Sequence, residues 1–214
     1  MFKLIALVTI IAALAAPLAA YAGAQQYEPL AASVRAMLHG AISDEAPSYL
    51  AFDTPQQGQA WLAAMSKRLV KRMPDQQRRD AFLISVDYEA KRAGLDPQLV
   101  LAVIAVESNF RKYAVSSAGA RGYMQVMPFW VNLIGTKSQD LFHMRTNLRY
   151  GCTILRHYLD VEHGSLFRAL GRYNGSLGQA WYPERVLRAW QSHWEYTPPP
   201  PPEIYAVASQ ESPE

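Results

Sequence analysis

Residues 95–128 read LDPQLVLAVIAVESNFRKYAVSSAGARGYMQVMP, and this stretch decides the fold. Asp96 followed by Pro97 is a helix-start pattern, because an aspartate side chain caps free backbone N–H groups and proline suits the first helical position. The next residues leave no polar face: Leu99, Val100, Leu101, Val103, Ile104 and Val106. A helix that is apolar all round is buried. The sequence therefore predicts a central helix that others surround.

The central helix ends at a carboxylate, Glu107, which Ser108 follows. Burial disfavours the charged form of a carboxyl group and raises its pKa, and proteins make general acids from glutamates in this way. No other acidic residue occurs between Glu107 and Asp140. The alternative is a frayed helix end that reaches water, which is the commoner fate of a helix-terminal glutamate. The residues downstream decide between the two interpretations.

A glycine-rich turn and a second short apolar segment follow Glu107. In chain order, the motifs are Glu107-Ser108, Ser116, Ala118-Gly119-Ala120, Gly122-Tyr123-Met124-Gln125, Met127-Pro128, Asn147-Leu148 with Gly151, and Tyr173-Asn174-Gly175. This order resembles the catalytic domain of soluble-type lytic transglycosylases, in the goose-type lysozyme-like superfamily. The resemblance covers about residues 80–190 and implies an all-α, lysozyme-like helical domain.

The resemblance also implies the site. Glu107 is the single catalytic acid and base, and the substrate-binding positions are Ser108, Ser116, Gln125, Met127, Tyr173 and Asn174. Ser116 matches a serine that orients the N-acetyl group or the glutamate, and Tyr173 matches a tyrosine that hydrogen-bonds near the glutamate. Ser108 could equally be a local hydrogen-bond partner at the helix end. No metal and no cofactor is expected, since the five histidines lack the paired spacing of a metal site.

The activity that the resemblance implies is a peptidoglycan lytic transglycosylase. Such an enzyme cleaves the β-1,4 bond between N-acetylmuramic acid (MurNAc) and N-acetylglucosamine (GlcNAc) and forms 1,6-anhydroMurNAc. One alternative is a hydrolytic muramidase on the same fold, which would need a second carboxylate, with Glu45, Asp53 and Asp140 as candidates. The other is a catalytically silent scaffold for peptidoglycan binding or assembly, which an intact Glu107 and Gln125 argue against.

Composition divides the chain into four segments. Residues 1–22 combine Lys3, an apolar run and small residues, as in a secretory signal peptide cleaved after residue 22 or 24; an uncleaved membrane anchor is the alternative. Residues 23–79 predict an N-terminal helical extension, and residues 80–195 the lytic transglycosylase domain. Residues 196–214 are a Pro-rich tail, for which disorder is predicted and a protein partner is the alternative.

Charge and cysteine content limit the partners and the compartment. The net charge of +3 is too small to indicate nucleic-acid binding, so peptidoglycan glycan strands are the expected partner. The mature protein is expected to lack a membrane span and to be exported, to the periplasm of a Gram-negative bacterium. Cys152 is the only cysteine, and its apolar helical surroundings predict a buried structural thiol.

Cap residues predict where the other helices begin. Thr54, Asp75, Thr146 and Ser165 are the predicted N-caps, and Pro183 is predicted to start the last helix. No stretch alternates as a half-buried strand would, so the residues themselves also favour an all-α fold.

Overall fold

A computed structural model describes residues 25–43, 52 and 54–197. The predicted signal peptide, nearly all of the Pro-rich tail, and the candidate carboxylates Glu45 and Asp53 lie outside these residues. Within them the chain is helical and has no strand, which confirms the all-α prediction. The helices are α1 (Ala32–Ser43), α2 (Pro55–Leu69), α3 (Gln76–Arg92), α4 (Pro97–Glu107), α5 (Phe129–Ile134), α6 (Met144–Val161), α7 (Leu166–Asn174) and α8 (Trp181–Ala189), and a π-helical turn (Trp190–Trp194) follows α8.

Helix α4 is the buried centre of the fold, as predicted. The Asp96 side chain caps it by accepting a hydrogen bond of 2.6 Å from the Gln98 N–H. Residues 99–104 are all buried, and the helix packs against α3, α8 and the π-helical turn. Each fully buried leucine or isoleucine of this kind stabilises the fold by about 1.5–3 kcal/mol. The apolar sequence of α4 therefore places its last residue, Glu107, inside the protein.

The chain leaves α4 through a strained turn. Asn109 and Phe110 have φ angles of 48° and 63°, a left-handed conformation that costs a non-glycine residue about 1–2 kcal/mol. Side-chain contacts hold the turn in place. Arg72 donates a hydrogen bond of 2.7 Å to the Asn109 side chain, and the Phe110 ring lies 6.0 Å and 5.3 Å from the ring centres of Phe82 and Trp194. The surrounding core therefore fixes the path of the backbone after Glu107.

The N-terminal extension packs directly on the helices that follow it. Helix α2 buries Trp61, Met65 and Leu69 and contacts α3, while α1 contacts α5 and α6. Ahead of α1, the Glu28 carboxylate pairs with Arg172 of α7 at 2.8 Å. These helices therefore share one hydrophobic core with the segment that carries Glu107.

Three of the five predicted helix starts are confirmed, because Thr54, Asp75 and Ser165 are N-caps. The other two predictions are wrong. The N-cap of α6 is His143, whose ring bonds the Thr146 hydroxyl at 3.2 Å, so Thr146 lies inside the first turn. Helix α8 begins at Trp181, and Pro183 lies within its first turn, where its missing N–H costs no hydrogen bond. Among the helices described, none is long and apolar enough to cross a bilayer.

Candidate active site

Glu107 is a buried carboxyl group at the C-terminal end of α4. Glu107 is only 5% exposed, and its Oε1 accepts a hydrogen bond of 2.6 Å from the Tyr182 hydroxyl. The other oxygen, Oε2, is buried and has no hydrogen-bond partner in the part of the chain that the structure describes. Glu107 can therefore carry a proton on Oε2 while Tyr182 holds Oε1.

Burial raises the pKa of Glu107 from 4.5 to about 8. The Tyr182 hydrogen bond and the positive charge of Arg185 both lower this pKa, but burial outweighs them. The negative end of the α4 dipole also disfavours a negative charge on the carboxylate at this position. At neutral pH the carboxyl group therefore holds its proton, as a general acid must.

Tyr182 is a site residue that the sequence analysis did not select. It lies in the first turn of α8, fully buried, because α8 packs on α4. Its burial could have been predicted from spacing, because Tyr182 precedes the buried Val186 by four residues and so lies on the same helix face. What the sequence does not give is its partner, which lies 75 residues away along the chain.

Ser108 joins the end of α4 to the glycine-rich turn. The side chain is buried, and its hydroxyl donates a hydrogen bond of 2.7 Å to the Tyr123 carbonyl. This geometry agrees with the local hydrogen-bonding role considered for Ser108. It fixes the turn against the helix that ends in Glu107.

Ser116 and Gln125 shape the turn itself. The Ser116 hydroxyl accepts a hydrogen bond of 3.1 Å from the Ala120 N–H and closes a tight loop. Gln125 is buried with a φ of 49°, a conformation that needs support from its surroundings. That support comes from its amide, which donates to the carbonyls of Ala114 at 3.1 Å and Gly122 at 2.9 Å. Both predicted residues therefore hold backbone in place here.

Met127 follows the same turn along the chain, and Tyr173 bonds the turn from α7, where Asn174 is the next residue. The Tyr173 hydroxyl donates a hydrogen bond of 2.7 Å to the Met124 carbonyl, so the tyrosine bonded to Glu107 is Tyr182 instead. Tyr173 is still close enough for the charge of Glu107 to raise its pKa, after the larger effect of burial. Asn174 is buried at the end of α7, and Met127 is half-buried, with its N–H donating to the Gln25 side chain at 3.2 Å.

Asn147 of α6 supports the turn, and two glycines, Gly151 on α6 and Gly122 in the turn, allow the two segments to approach closely. The buried Asn147 side chain accepts the Met124 N–H at 2.8 Å and donates to the carbonyls of Arg121 and Leu141, each at 2.8 Å. A Cβ on Gly151 would lie 2.6 Å from Met124 Cβ, and one on Gly122 would meet Asn147. Only glycine allows these close approaches, so α6 and the turn fit one another as a unit.

The groups that act on Glu107 do not include a second carboxylate among the described residues. The pKa of Glu107 responds to a phenol and a guanidinium. Asp140, the one candidate carboxylate in the described ranges, is exposed and accepts the Phe142 N–H at 2.8 Å in its own loop. The same ranges hold no cluster of histidine, cysteine or acidic side chains that could bind a metal ion.

A family model described as the transglycosylase SLT domain matches residues 85–196, more than half of the chain. The chain belongs to the SLT transglycosylase family. The matched segment of this SLT chain runs from α3 through the π-helical turn and contains both Glu107 and Tyr182.

Relatives of this SLT chain match over parts of their length. A transglycosylase of Enterobacteria phage PRD1 is 34% identical over 101 residues, which are 44% of this chain and 37% of the phage protein. The membrane-bound lytic murein transglycosylase C of Actinobacillus pleuropneumoniae serotype 5b is 49% identical over 53 residues, which are 25% of this chain and 13% of that protein.

A solved structure to which the chain is similar in part illustrates the same family. It is the lytic transglycosylase Slt from Pseudomonas aeruginosa, an inactive mutant, which is 28% identical and has a TM-score of 0.41. The match covers 56% of this chain and 19% of that one. The chain therefore spans well under half the length of each of these relatives.

Proposed function

We propose that this chain is a peptidoglycan lytic transglycosylase in which Glu107 is the only catalytic acid and base. The observation that carries the proposal is the buried, proton-holding Glu107 with Tyr182 on one oxygen and the other oxygen unpartnered. Membership of the SLT family and relatives named murein transglycosylases support peptidoglycan as the substrate.

In the first step, Glu107 gives its proton to the oxygen that joins MurNAc C1 to GlcNAc, and the C1–O bond breaks. The leaving sugar departs with that proton, and the N-acetyl group of the substrate stabilises the positive charge at C1. Tyr182 keeps its hydrogen bond to the new carboxylate. A hydrogen bond to a charged group is worth about 1.5–3 kcal/mol, so the bond offsets part of the cost of a buried charge.

In the second step, the Glu107 carboxylate takes the proton of the MurNAc C6 hydroxyl, whose oxygen bonds to C1 and closes the 1,6-anhydro ring. Glu107 is protonated again, and no water is consumed. A pKa of about 8 suits both steps, because the same group must give a proton and then recover one near neutral pH.

The site residues predicted from the sequence have supporting roles in this proposal. Ser108, Gln125 and Tyr173 fix the turn beside Glu107 through their bonds to backbone carbonyls. Ser116, Met127 and Asn174 remain proposed substrate-binding positions. We place the mature protein in the cell envelope, in the periplasm of a Gram-negative bacterium, since the curated relatives include membrane-bound murein transglycosylases.

The test is mass spectrometry of the products that the protein without residues 1–22 releases from purified sacculi, beside Glu107→Gln. We expect anhydromuropeptides from the unaltered protein and none from the variant. Products heavier by one water would indicate a hydrolase and contradict the proposal. No release from either protein, with both folded by circular dichroism, would instead favour a silent binding scaffold.

A further inference from the structure

An exposed tryptophan lies next to the acid's partner. Trp181 is 40% exposed and directly precedes Tyr182 in the first turn of α8. The two rings meet edge to face, with centres 5.8 Å apart and an angle of 84° between planes. The Tyr182 hydroxyl in turn lies 2.6 Å from Glu107. The indole is therefore separated from the acid by a single buried ring.

The Trp181 indole is held in place although it is exposed. Its Nε1–H donates a hydrogen bond of 2.7 Å to the Gln179 side chain. The loop that carries Gln179 is tied to α7, because the Ser176 N–H donates to the Gly171 carbonyl at 2.8 Å and the Gln179 N–H to the Ser176 carbonyl at 2.9 Å. Since the indole N–H is already satisfied, what remains for a ligand is the apolar ring surface.

The other four tryptophans of the chain have a structural place. Trp61, Trp130 and Trp194 are at most 2% exposed, and Trp190 is half-buried against the core. Exposing an indole gives up favourable burial of a large apolar ring. Packing in the core therefore accounts for these four tryptophans but not for the exposed ring of Trp181.

We propose that Trp181 forms a sugar-stacking subsite for the glycan strand, beside the bond that Glu107 cleaves. A pyranose ring presents a face of C–H groups, which carry slight positive charge, and the face of an indole is electron-rich. A fixed ring next to the acid orders one sugar at little entropic cost. This subsite rests on the proposed function, since it names the part of the substrate that the same site recognises.

The experiment measures binding separately from turnover. Trp181→Ala and Trp181→Phe are each made in the Glu107→Gln background, and peptide-free glycan strands and the GlcNAc hexamer are titrated by calorimetry. Phe167→Ala is the matched control, because Phe167 is 41% exposed and lies in the first turn of α7, about 9 Å along that helix from Tyr173.

We expect Trp181→Ala to raise the Kd about tenfold, Trp181→Phe to restore most of the affinity, and Phe167→Ala to change nothing. Equal affinity of Trp181→Ala and its parent, or an equal loss in Phe167→Ala, would overturn the subsite. Should Trp181→Ala not fold, acrylamide quenching of tryptophan fluorescence in the Glu107→Gln protein is measured with and without glycan. We expect bound glycan to shield the exposed indole and so reduce quenching, and unchanged quenching would overturn the subsite. Muropeptide release by Glu107→Gln would refute the proposed function alone, because these titrations need no turnover.

Discussion

Replacing Glu107 by glutamine is expected to stabilise the fold, and to do so increasingly as the pH rises. The folded state keeps the Glu107 proton up to a pKa of about 8, whereas the unfolded chain releases it near 4.5. Between these values the folded state binds more protons, so rising pH favours unfolding. Glutamine does not titrate, and its side-chain oxygen can still accept the Tyr182 hydroxyl.

The size of this effect follows from the two pKa values. Each pH unit between them lowers the free energy of unfolding by about 1.4 kcal/mol. Below pH 4.5 both states are protonated and the effect is absent. We therefore expect the advantage of Glu107→Gln over the unaltered protein to grow by about 3 kcal/mol between pH 4.5 and pH 7 and to level off above pH 8.

Urea denaturation of both proteins at a series of pH values measures this difference. Glu162→Gln is the matched control, because hydrogen bonds from Arg172 and Arg168 hold the pKa of Glu162 below its usual value. The stability that Glu162 contributes is lost as the pH falls through that lowered pKa, so its difference from the unaltered protein should be flat between pH 5 and pH 8. A flat difference for Glu107→Gln in the same range would mean that Glu107 titrates as an exposed carboxyl, and the general-acid argument would fail.

Three further predictions concern the surroundings of Glu107. Tyr182→Phe removes a hydrogen bond that lowers the Glu107 pKa, so we expect the alkaline limb of the pH–rate profile to move to higher pH. Muropeptide release in the acidic range should fall by about tenfold or more, and an unchanged profile would contradict this prediction. Asn147→Ala leaves three backbone groups without their partner, and urea denaturation should show a loss of about 3 kcal/mol or more, whereas a loss under 1 kcal/mol would argue against it. Gly151→Ala places a Cβ against Met124 and should cost about 1–3 kcal/mol in thermal unfolding, whereas Gly40→Ala, in open space on α1, should stabilise by roughly 0.5–1 kcal/mol.

Helix caps, helix ends and buried positions were predictable from the sequence where a residue type has one usual role. Asp96 caps α4, the apolar run buries it, and Glu107 ends it, because capping and burial depend on near neighbours in the chain. Cys152 is buried and free, as its apolar surroundings predict. The helix starts at Thr146 and Pro183 were wrong because α6 and α8 begin after His143 and Ala180, which make no side-chain capping hydrogen bond and so carry no cap pattern in the sequence.

The partners of Glu107 were not predictable from local pattern. Tyr182 reaches the acid only because α8 packs on α4, and sequence spacing says nothing about which distant helix face meets which. Tyr173 was matched to a tyrosine that hydrogen-bonds near the glutamate, and its hydroxyl bonds the Met124 carbonyl, whereas Tyr182, which no motif indicated, bonds Glu107 itself. Two tyrosines that are nine residues apart thus have different partners: Tyr182 bonds the acid, and Tyr173 bonds the backbone of the turn.

The turn after α4 is held from outside the family segment. Arg72, which bonds Asn109 and lies over the Phe110 ring, precedes residue 85, where the SLT match begins. A protein cut at that boundary would lose this brace and the buried face of α2 while keeping every matched motif. The segment by which the family is recognised is therefore shorter than the unit that folds around Glu107, and an engineered form of this domain has to start upstream of Arg72.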